Sequence, residues 1–194
     1  MKNFLTALFT LILFATTASV EASPVRIVRL PIIFQSTAPD TDTAAELEVK
    51  ISRAVHIPLN GTLQLADYVP TKDSTMAMND IWQDLRAENK KAKIVDAIKP
   101  LSEKLNADII VCPILKQYSQ YISPFGMDEN YMTSQVLVEL IVYDRRTDEL
   151  IDKRASQFYH DSYHMMGTAS SLAKICFDNV IEKTKLRQRI MAIR

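Results

Sequence analysis

Two histidines four positions apart are the best candidates for chemistry in this chain. They frame the segment His160-Asp161-Ser162-Tyr163-His164, and His56 is the one further histidine. Residues four apart on a helix point the same way, and two imidazoles so placed can hold a metal ion, with acidic partners supplied by the fold. A strand is expected to end and a helix to begin here. We therefore favour Asp161 or Ser162 as a helix N-cap, with metal binding as the alternative.

A group of aromatic side chains is suited to recognition rather than catalysis. Tyr118, Tyr121, Phe125 and Tyr131 surround a segment that is predicted to be a loop between two strands, about 123–131. Tyrosines at such a place bury large areas with few rotatable bonds and keep a polar group, as interface residues do. We predict a partner-binding surface here. The alternative is that the rings only cover the edge of a sheet.

Trp82 marks a second candidate surface. It lies with Met76 and Met78 on a predicted helix. Aromatic and methionine side chains make adaptable apolar contacts, which suit a binding surface as well as a protein interior. Ordinary core packing is the favoured interpretation for this group, and partner binding is the alternative.

No other pattern of residues points to catalysis. The chain has no serine in a Gly-x-Ser-x-Gly turn, and neither cysteine has a histidine nearby in sequence. Its three glycines, Gly61, Gly126 and Gly167, lie too far apart for a loop that cradles phosphate. The 23 basic and 23 acidic side chains balance, which argues against nucleic-acid binding. We predict a protein without enzymatic activity and without a cofactor.

The amino terminus has the three parts of a secretory signal peptide. A positive charge at Lys2 precedes an apolar run over 4–20, and Val20-Glu21-Ala22 offers small residues for cleavage. We predict a signal peptide over 1–22, with Ala18 as a less favoured cleavage site, and a single globular domain over 23–194. An uncleaved anchor is the alternative, but the apolar run is shorter than the ~20 residues that span a bilayer. The mature protein is expected in the periplasm or secreted, with no membrane span, as a monomer or small oligomer.

Export exposes the two cysteines to oxidising conditions. Cys112 and Cys176 both lie in apolar segments, so two buried thiols are favoured and a disulfide between them is the alternative.

Hydrophobic periodicity predicts the elements that position these residues, in the order β-α-β-α-α-β-β-β-α. The strands fall at about 25–35, 63–69, 107–121, 134–143 and 149–159. The helices fall at about 43–57, 73–89, 94–105 and from Tyr163 or Thr168 to Ile190. Asn60-Gly61 is a turn between helix and strand, or else closes a small hairpin. Strands separated by helices are parallel and strands joined by a short turn are antiparallel, so the chain is an α/β (α+β) protein with a mixed sheet.

This order, with Leu105-Asn106-Ala107-Asp108-Ile109-Ile110-Val111 leading from a helix into the central strand, resembles the TolB amino-terminal-like domain. The hairpin around Asp144-Arg145-Arg146-Thr147-Asp148 is also similar to that of CsgG-type and LpoB-type periplasmic domains. The chain departs from the group where Thr147-Asp148 replaces the usual Gly and in the additional helix around Trp82.

The resemblance covers about residues 25–186 and implies an exported bacterial protein. Its function would be that of a non-catalytic cell-envelope adaptor that binds an envelope protein, and no site residue carries over. A metal-dependent hydrolase or metal-binding protein using His160 and His164 is the alternative. A ring-forming secretion component would need long membrane-inserting segments that the sequence does not show.

Overall fold

A computed structural model describes residues 24–57, 66–125 and 129–192. The strands are β1 (Val25–Arg29), β2 (Ile33–Phe34), β3 (Ala66–Tyr68), β4 (Ile109–Phe125), β5 (Glu129–Asp144) and β6 (Glu149–Ser162). The helices are α1 (Thr41–Val55), α2 (Thr71–Glu88), α3 (Ile94–Leu105), α4 (Ala169–Thr184) and α5 (Leu186–Met191), with a short 3₁₀ helix (Met165–Gly167) before α4. The predicted signal peptide and the Asn60-Gly61 turn lie outside the described residues.

The strands form one mixed sheet in the order β3-β1-β4-β5-β6, and β2 also pairs with β4. The strands that are separated by helices, β1, β3 and β4, run parallel, whereas β4, β5 and β6 are antiparallel neighbours. Both arrangements follow from the lengths of the connections. The predicted α/β class with a mixed sheet is confirmed, and β4 is the central strand that its unbroken apolar run predicts.

Pro31 splits the first predicted strand into β1 and β2. The backbone of Leu30 donates to Val111 and that of Gln35 to Leu115, so both pieces follow β4 on either side of the break. Proline has no N–H with which to continue the ladder. The backbone N–H of Ile32 turns instead to the Glu48 carboxylate, 2.6 Å away.

Helices cover both faces of the sheet and make two separate apolar clusters. One cluster joins α1, α4 and α5 to the first face, and the other joins α2 and α3 to the second face. Cys176 belongs to the first cluster and Cys112 to the second, and both are free thiols. The disulfide alternative is therefore not found in this structure, because the sheet separates the two sulfur atoms.

The helix ends correct three details of the prediction. α1 begins at Thr41, two residues before the predicted start at 43, and its N-cap Asp40 accepts a hydrogen bond from the Thr43 backbone at 2.9 Å. α2 begins at Thr71, two residues before the predicted start at 73, with Pro70 as its N-cap. The last predicted helix is divided into the 3₁₀ helix, α4 and α5, with a break at Lys185, whose φ is 50°.

The loop predicted at about 123–131 is wrong at both of its ends, and its middle, 126–128, lies outside the described residues. β4 continues to Phe125 and β5 already begins at Glu129, so the two strands pair almost to their tips. Pro124 and Gly126 indicate a loop in the sequence, but Pro124 lies in β4, opposite Asn130. The far halves of β4, β5 and β6 form an arm, which we define as residues 117–125, 129–137 and 156–162.

Candidate functional site: an open face of the sheet

The arm has two faces because successive side chains of a strand point to opposite sides. One face carries Val136 and Tyr118 and packs against the cluster under α4. On the other face, Tyr121 lies opposite Thr133, which lies opposite His160. One step along, Gln135 lies opposite Phe158. We call this second side the open face, and define it by Tyr121, Tyr131, Thr133, Gln135, Phe158 and His160.

The open face exposes large aromatic rings. Tyr121 is 67% exposed and Phe158 is 64% exposed, and Gln135 and His160 are exposed beside them. The cluster under α2 and α3 reaches along the same side of the sheet only as far as Ile114 and Ile141 among the described residues. Exposed aromatic groups that adjoin one another mark interaction surfaces more often than isolated exposed residues do.

His160 organises the rings of this face. Its ring stacks on Phe158 at a centroid distance of 6.3 Å and lies 6.2 Å from the ring of Tyr131. Its Nδ1 is hydrogen-bonded to the Thr133 hydroxyl at 2.8 Å. These contacts fix the position of the imidazole and bring polar and aromatic groups side by side. Such a surface combines apolar area with hydrogen-bonding groups, as protein interfaces do.

A compact charge cluster separates the open face from the part of the sheet that the helices cover. Glu139 is only 4% exposed and is paired with Lys116 at 3.1 Å and with Arg154. Burial works to raise the pKa of the Glu139 carboxyl, but the hydrogen bonds from Lys116 and Arg154 outweigh it and hold that pKa below its ordinary value. Burial and the neighbouring Glu139 charge raise the pKa of Asp152, which pairs with Arg154. The four charges balance one another.

The structure places the predicted tyrosines on both sides of the sheet. Tyr121 and Tyr131 lie on the open face. Tyr118 instead lies half-buried on the opposite side, where burial and the nearby Asp40 carboxylate raise its pKa. β4 ends at Phe125, whose side chain is outside the described part of the chain.

Sequence reasoning missed Phe158, Gln135 and Thr133 as members of this surface. The signal that identifies Phe158 is its neighbour Tyr159. Two consecutive large aromatics on one strand must point to opposite faces, and the Tyr159 ring packs over Gly167 on the helix-covered side. Tyr159 thus points to the side that α4 covers, and Phe158 must point to the open face, where its ring stacks on His160.

The helical spacing assumed for His160 and His164 is wrong. His160 lies within β6, and His164 is the N-cap of the 3₁₀ helix, where its Nδ1 accepts a hydrogen bond from the Met166 backbone at 3.2 Å. The predicted N-caps Asp161 and Ser162 are also part of β6, and Thr168 caps α4 instead. Among the described residues, no three His, Cys, Asp or Glu side chains come together in a way that suits a metal ion.

Trp82 is half-buried and borders an apolar pocket of about 300 Å³ between α2 and the β1–β2 junction. The pocket also contacts Leu30, Pro31 and Met78, and Arg86 lies over the indole ring at 5.6 Å. Met78 is buried and Met76 is exposed. Met78 and most of Trp82 therefore pack in the second apolar cluster, as the favoured interpretation predicts. One side of the indole ring lines the pocket.

No protein-family model and no curated protein sequence matches this chain. Several solved structures are similar to it at low identity. The hypothetical protein CT253 from Chlamydia trachomatis is 11% identical, with 84% of this chain and 96% of that chain covered and a TM-score of 0.46. The lipoprotein GNA1162 from Neisseria meningitidis is 14% identical, with 82% and 99% covered and a TM-score of 0.38.

The LpoB C-terminal domain from Salmonella enterica is also similar, at 9% identity, 75% and 90% coverage and a TM-score of 0.34. Bacterial lipoproteins and an LpoB domain are therefore found among the similar structures. At these scores the likeness does not assign the chain to any of their families. In the described part of the chain, no helix is long and apolar enough to cross a membrane.

Proposed function

We propose that this protein is an exported, non-catalytic adaptor of the bacterial cell envelope, which binds another protein through the open face. The observation that carries the proposal is the pair of exposed rings, Tyr121 and Phe158, on a face of the sheet that the described helices leave uncovered. Aromatic residues at the centre of a binding surface supply most of the energy of many interfaces. The signal-peptide pattern over 1–22 supports an extracytoplasmic location.

The character of the face indicates the kind of partner. Its described members are aromatic or neutral and polar, and the adjoining charges of Lys116, Glu139, Asp152 and Arg154 neutralise one another. A complementary protein surface would present apolar or aromatic side chains and hydrogen-bonding groups with little net charge. We therefore expect the affinity to depend only weakly on salt concentration.

Site-specific photocrosslinking in cells tests the proposal. A photoreactive amino acid at Phe158 should capture one envelope protein, and the same group at Val49, a 46% exposed position on α1, should not capture it. With the purified partner, Tyr121→Ala should weaken binding at least tenfold, with the melting temperature unchanged. Equal capture from both positions, or an unchanged affinity, would contradict the proposal.

A second pair of variants tests whether binding depends on the open face rather than on aromatic side chains elsewhere on the arm. Tyr118→Phe removes a hydroxyl on the opposite side of the sheet and should leave binding unchanged. His160→Ala removes the ring that stacks on Phe158 and should weaken binding. A metal-binding or hydrolytic role for His160 and His164 would instead show as stoichiometric bound metal or as activity that either alanine variant abolishes.

A further inference from the structure

β6 ends the sheet, and β5 is the one described strand that pairs with it. One backbone group of β6, the Arg154 carbonyl, accepts a hydrogen bond from Lys183 of α4 at 3.1 Å. It pairs with β5 along its whole length, from Glu149 opposite Asp144 to Ser162 opposite Tyr131. On its other side, the described residues supply no strand. The backbone N–H and C=O groups of alternate residues point outward there and can pair with another strand. A long edge of this kind is a site for strand addition unless the chain blunts it.

Charges along β6 decide which strand fits. Arg154 and Asp152 already belong to the cluster around Glu139. Lys153 and Asp161 are exposed on the side of the strand that faces away from the open face. Neither forms an ion pair with any described residue. They have opposite charges and lie on either side of Gln157, at equal distances from it along the strand. When a second β6 runs antiparallel to the first about Gln157, each lysine therefore meets an aspartate.

We propose that β6 pairs with β6 of a second copy of this chain, antiparallel, about a two-fold axis at Gln157. Residues 152–162 of both copies then overlap. Lys153 of each copy lies directly opposite Asp161 of the other, on the same face of the joined sheet. Opposite charges that face each other across two antiparallel strands stabilise the pairing, and the symmetry supplies the pair twice.

Other two-fold registers either bring like charges together or leave Lys153 and Asp161 without an opposite charge. An axis at Ser156 does the latter, because it sets Lys153 opposite Tyr159 and Asp161 opposite Ile151. An axis at Lys153 or at Arg154 sets that residue opposite its own copy, and an axis at Ala155 sets Glu149 opposite Asp161. Like charges directly opposite each other destabilise a strand pair. Axes nearer to either end of β6 shorten the overlap. The axis at Gln157 brings Lys153 opposite Asp161, whose carboxylate otherwise accepts a hydrogen bond from the Ser162 backbone at 2.7 Å, and it keeps most of the strand in the ladder.

The pairing would join the open faces of both copies into one surface. Phe158 of one copy lies opposite Ser156 of the other, so that the two Phe158 rings approach the axis from either side. Because each copy offers the same edge, the contact closes on itself and assembly stops at a dimer. The inference rests on the backbone edge of β6 and on the charges of Lys153 and Asp161, and it does not depend on the proposed partner binding.

Crosslinking tests the register. Gln157→Cys places two thiols opposite each other, about 5 Å apart between Cβ atoms, within reach of a short bis-maleimide linker. Cys112 and Cys176 are fully buried, so they give no background. Gln83→Cys, on the exposed side of α2, is the matched control. We expect the protein, expressed from its whole sequence and purified from the cell envelope, to form linked dimers with the cysteine at 157 only. Equal linkage at both positions would overturn the proposal.

Charge reversal tests the contact itself. Sedimentation velocity should show a monomer–dimer equilibrium, and Lys153→Glu or Asp161→Lys alone should raise the dimer dissociation constant about tenfold. The double variant should restore it, because the pairs are re-formed with their signs exchanged. Circular dichroism melting confirms that the variants are folded. A monomer at all concentrations, an assembly larger than a dimer, or a dimer that is insensitive to both reversals would overturn the inference.

Discussion

Gly167 shows how one residue fixes the junction between β6 and α4. A Cβ atom at this position would lie 2.6 Å from Cδ1 of Tyr159, and the Tyr159 hydroxyl is tied to the Ser162 carbonyl at 2.7 Å. The ring therefore cannot move aside without breaking a hydrogen bond. We expect Gly167→Ala to lower the free energy of unfolding by about 1–3 kcal/mol, measured by urea denaturation.

Tyr159→Ala provides the control for this contact. In that background the added methyl group meets no ring, so Gly167→Ala should cost much less, and the two effects should not be additive. If Gly167→Ala costs the same in both backgrounds, the close approach to Tyr159 is not the reason for the glycine.

Asp148 does at the β5–β6 turn what a glycine does in many hairpins. Its φ is 53°, and its carboxylate accepts hydrogen bonds from Tyr143 at 2.7 Å and from Lys99 at 2.9 Å. These two bonds hold its pKa below the ordinary value. Aspartate and asparagine adopt the left-handed conformation more readily than other residues with a side chain.

Three variants separate the backbone role of Asp148 from its bonds. Asp148→Gly keeps the conformation and loses the bonds, whereas Asp148→Ala loses both, so alanine should be less stable than glycine by about 1 kcal/mol. Asp148→Asn should be the mildest of the three. Thermal or urea unfolding measures the order, and an alanine variant as stable as the glycine variant would refute the conformational argument.

At the level of elements, Glu139 connects three strands through its partners on β4 and β6. The pKa of Glu139 is lowered in the folded protein. Its contribution to the free energy of unfolding is therefore complete above about pH 4.5 and is lost as the pH falls through the lower pKa of the folded state. Glu139→Gln should lower the free energy of unfolding by about 1–3 kcal/mol at pH 7. It should also flatten the loss of stability below pH 4.5, followed by urea titrations across that range.

Asp152 is the matched control because its pKa is shifted the other way. Burial and the Glu139 charge raise the pKa of Asp152, so its charged form is less favourable in the folded state than in the unfolded chain. Asp152→Asn should therefore leave the stability at pH 7 unchanged or increase it. A loss as large as that of Glu139→Gln would show that the two carboxylates act as one unit.

The elements that the sequence predicts well are those with one strongly apolar side. The spacing of Leu47, Ile51 and Val55 predicts α1, and the run from Ile109 predicts the central β4. The far end of the arm is not predicted, because Pro124 and Gly126 are typical of a loop between strands. The two exposed rings of that face, Tyr121 and Phe158, come from different strands, so only the register of β4, β5 and β6 brings them to one surface.

The helical spacing predicted for His160 and His164 is wrong for a related reason. Its spacing suits a helix, yet the strand pairing of β5 continues through Met132 opposite Asp161 and holds the segment extended. The spacing of two side chains in sequence predicts whether they meet only when the secondary structure between them is known. Here pairing with the neighbouring strand β5 determines that secondary structure. The 3₁₀ helix that follows then takes His164 as its cap.

On the scale of the whole molecule, the sheet divides the interior into two layers that each contain one thiol. Cys112 lies under α2 and α3 and Cys176 lies in α4, and both are inaccessible. Burial raises the pKa of Cys112 to about 12 and that of Cys176 to about 11, so neither is a reactive thiolate in the folded protein. The two cysteines therefore report on the opening of either layer.

We expect no reaction of either thiol with a thiol reagent in the native protein, and two free thiols after unfolding. In the single variants Cys112→Ala and Cys176→Ala, the remaining thiol reports on one layer, and its labelling rate in subdenaturing urea gives the free energy of opening. Both layers pack on the same strands β4 and β5, so the two free energies should agree with each other and with global unfolding. Earlier labelling of Cys176 would show instead that the layer of α1, α4 and α5 detaches first, and with it the support beneath the arm.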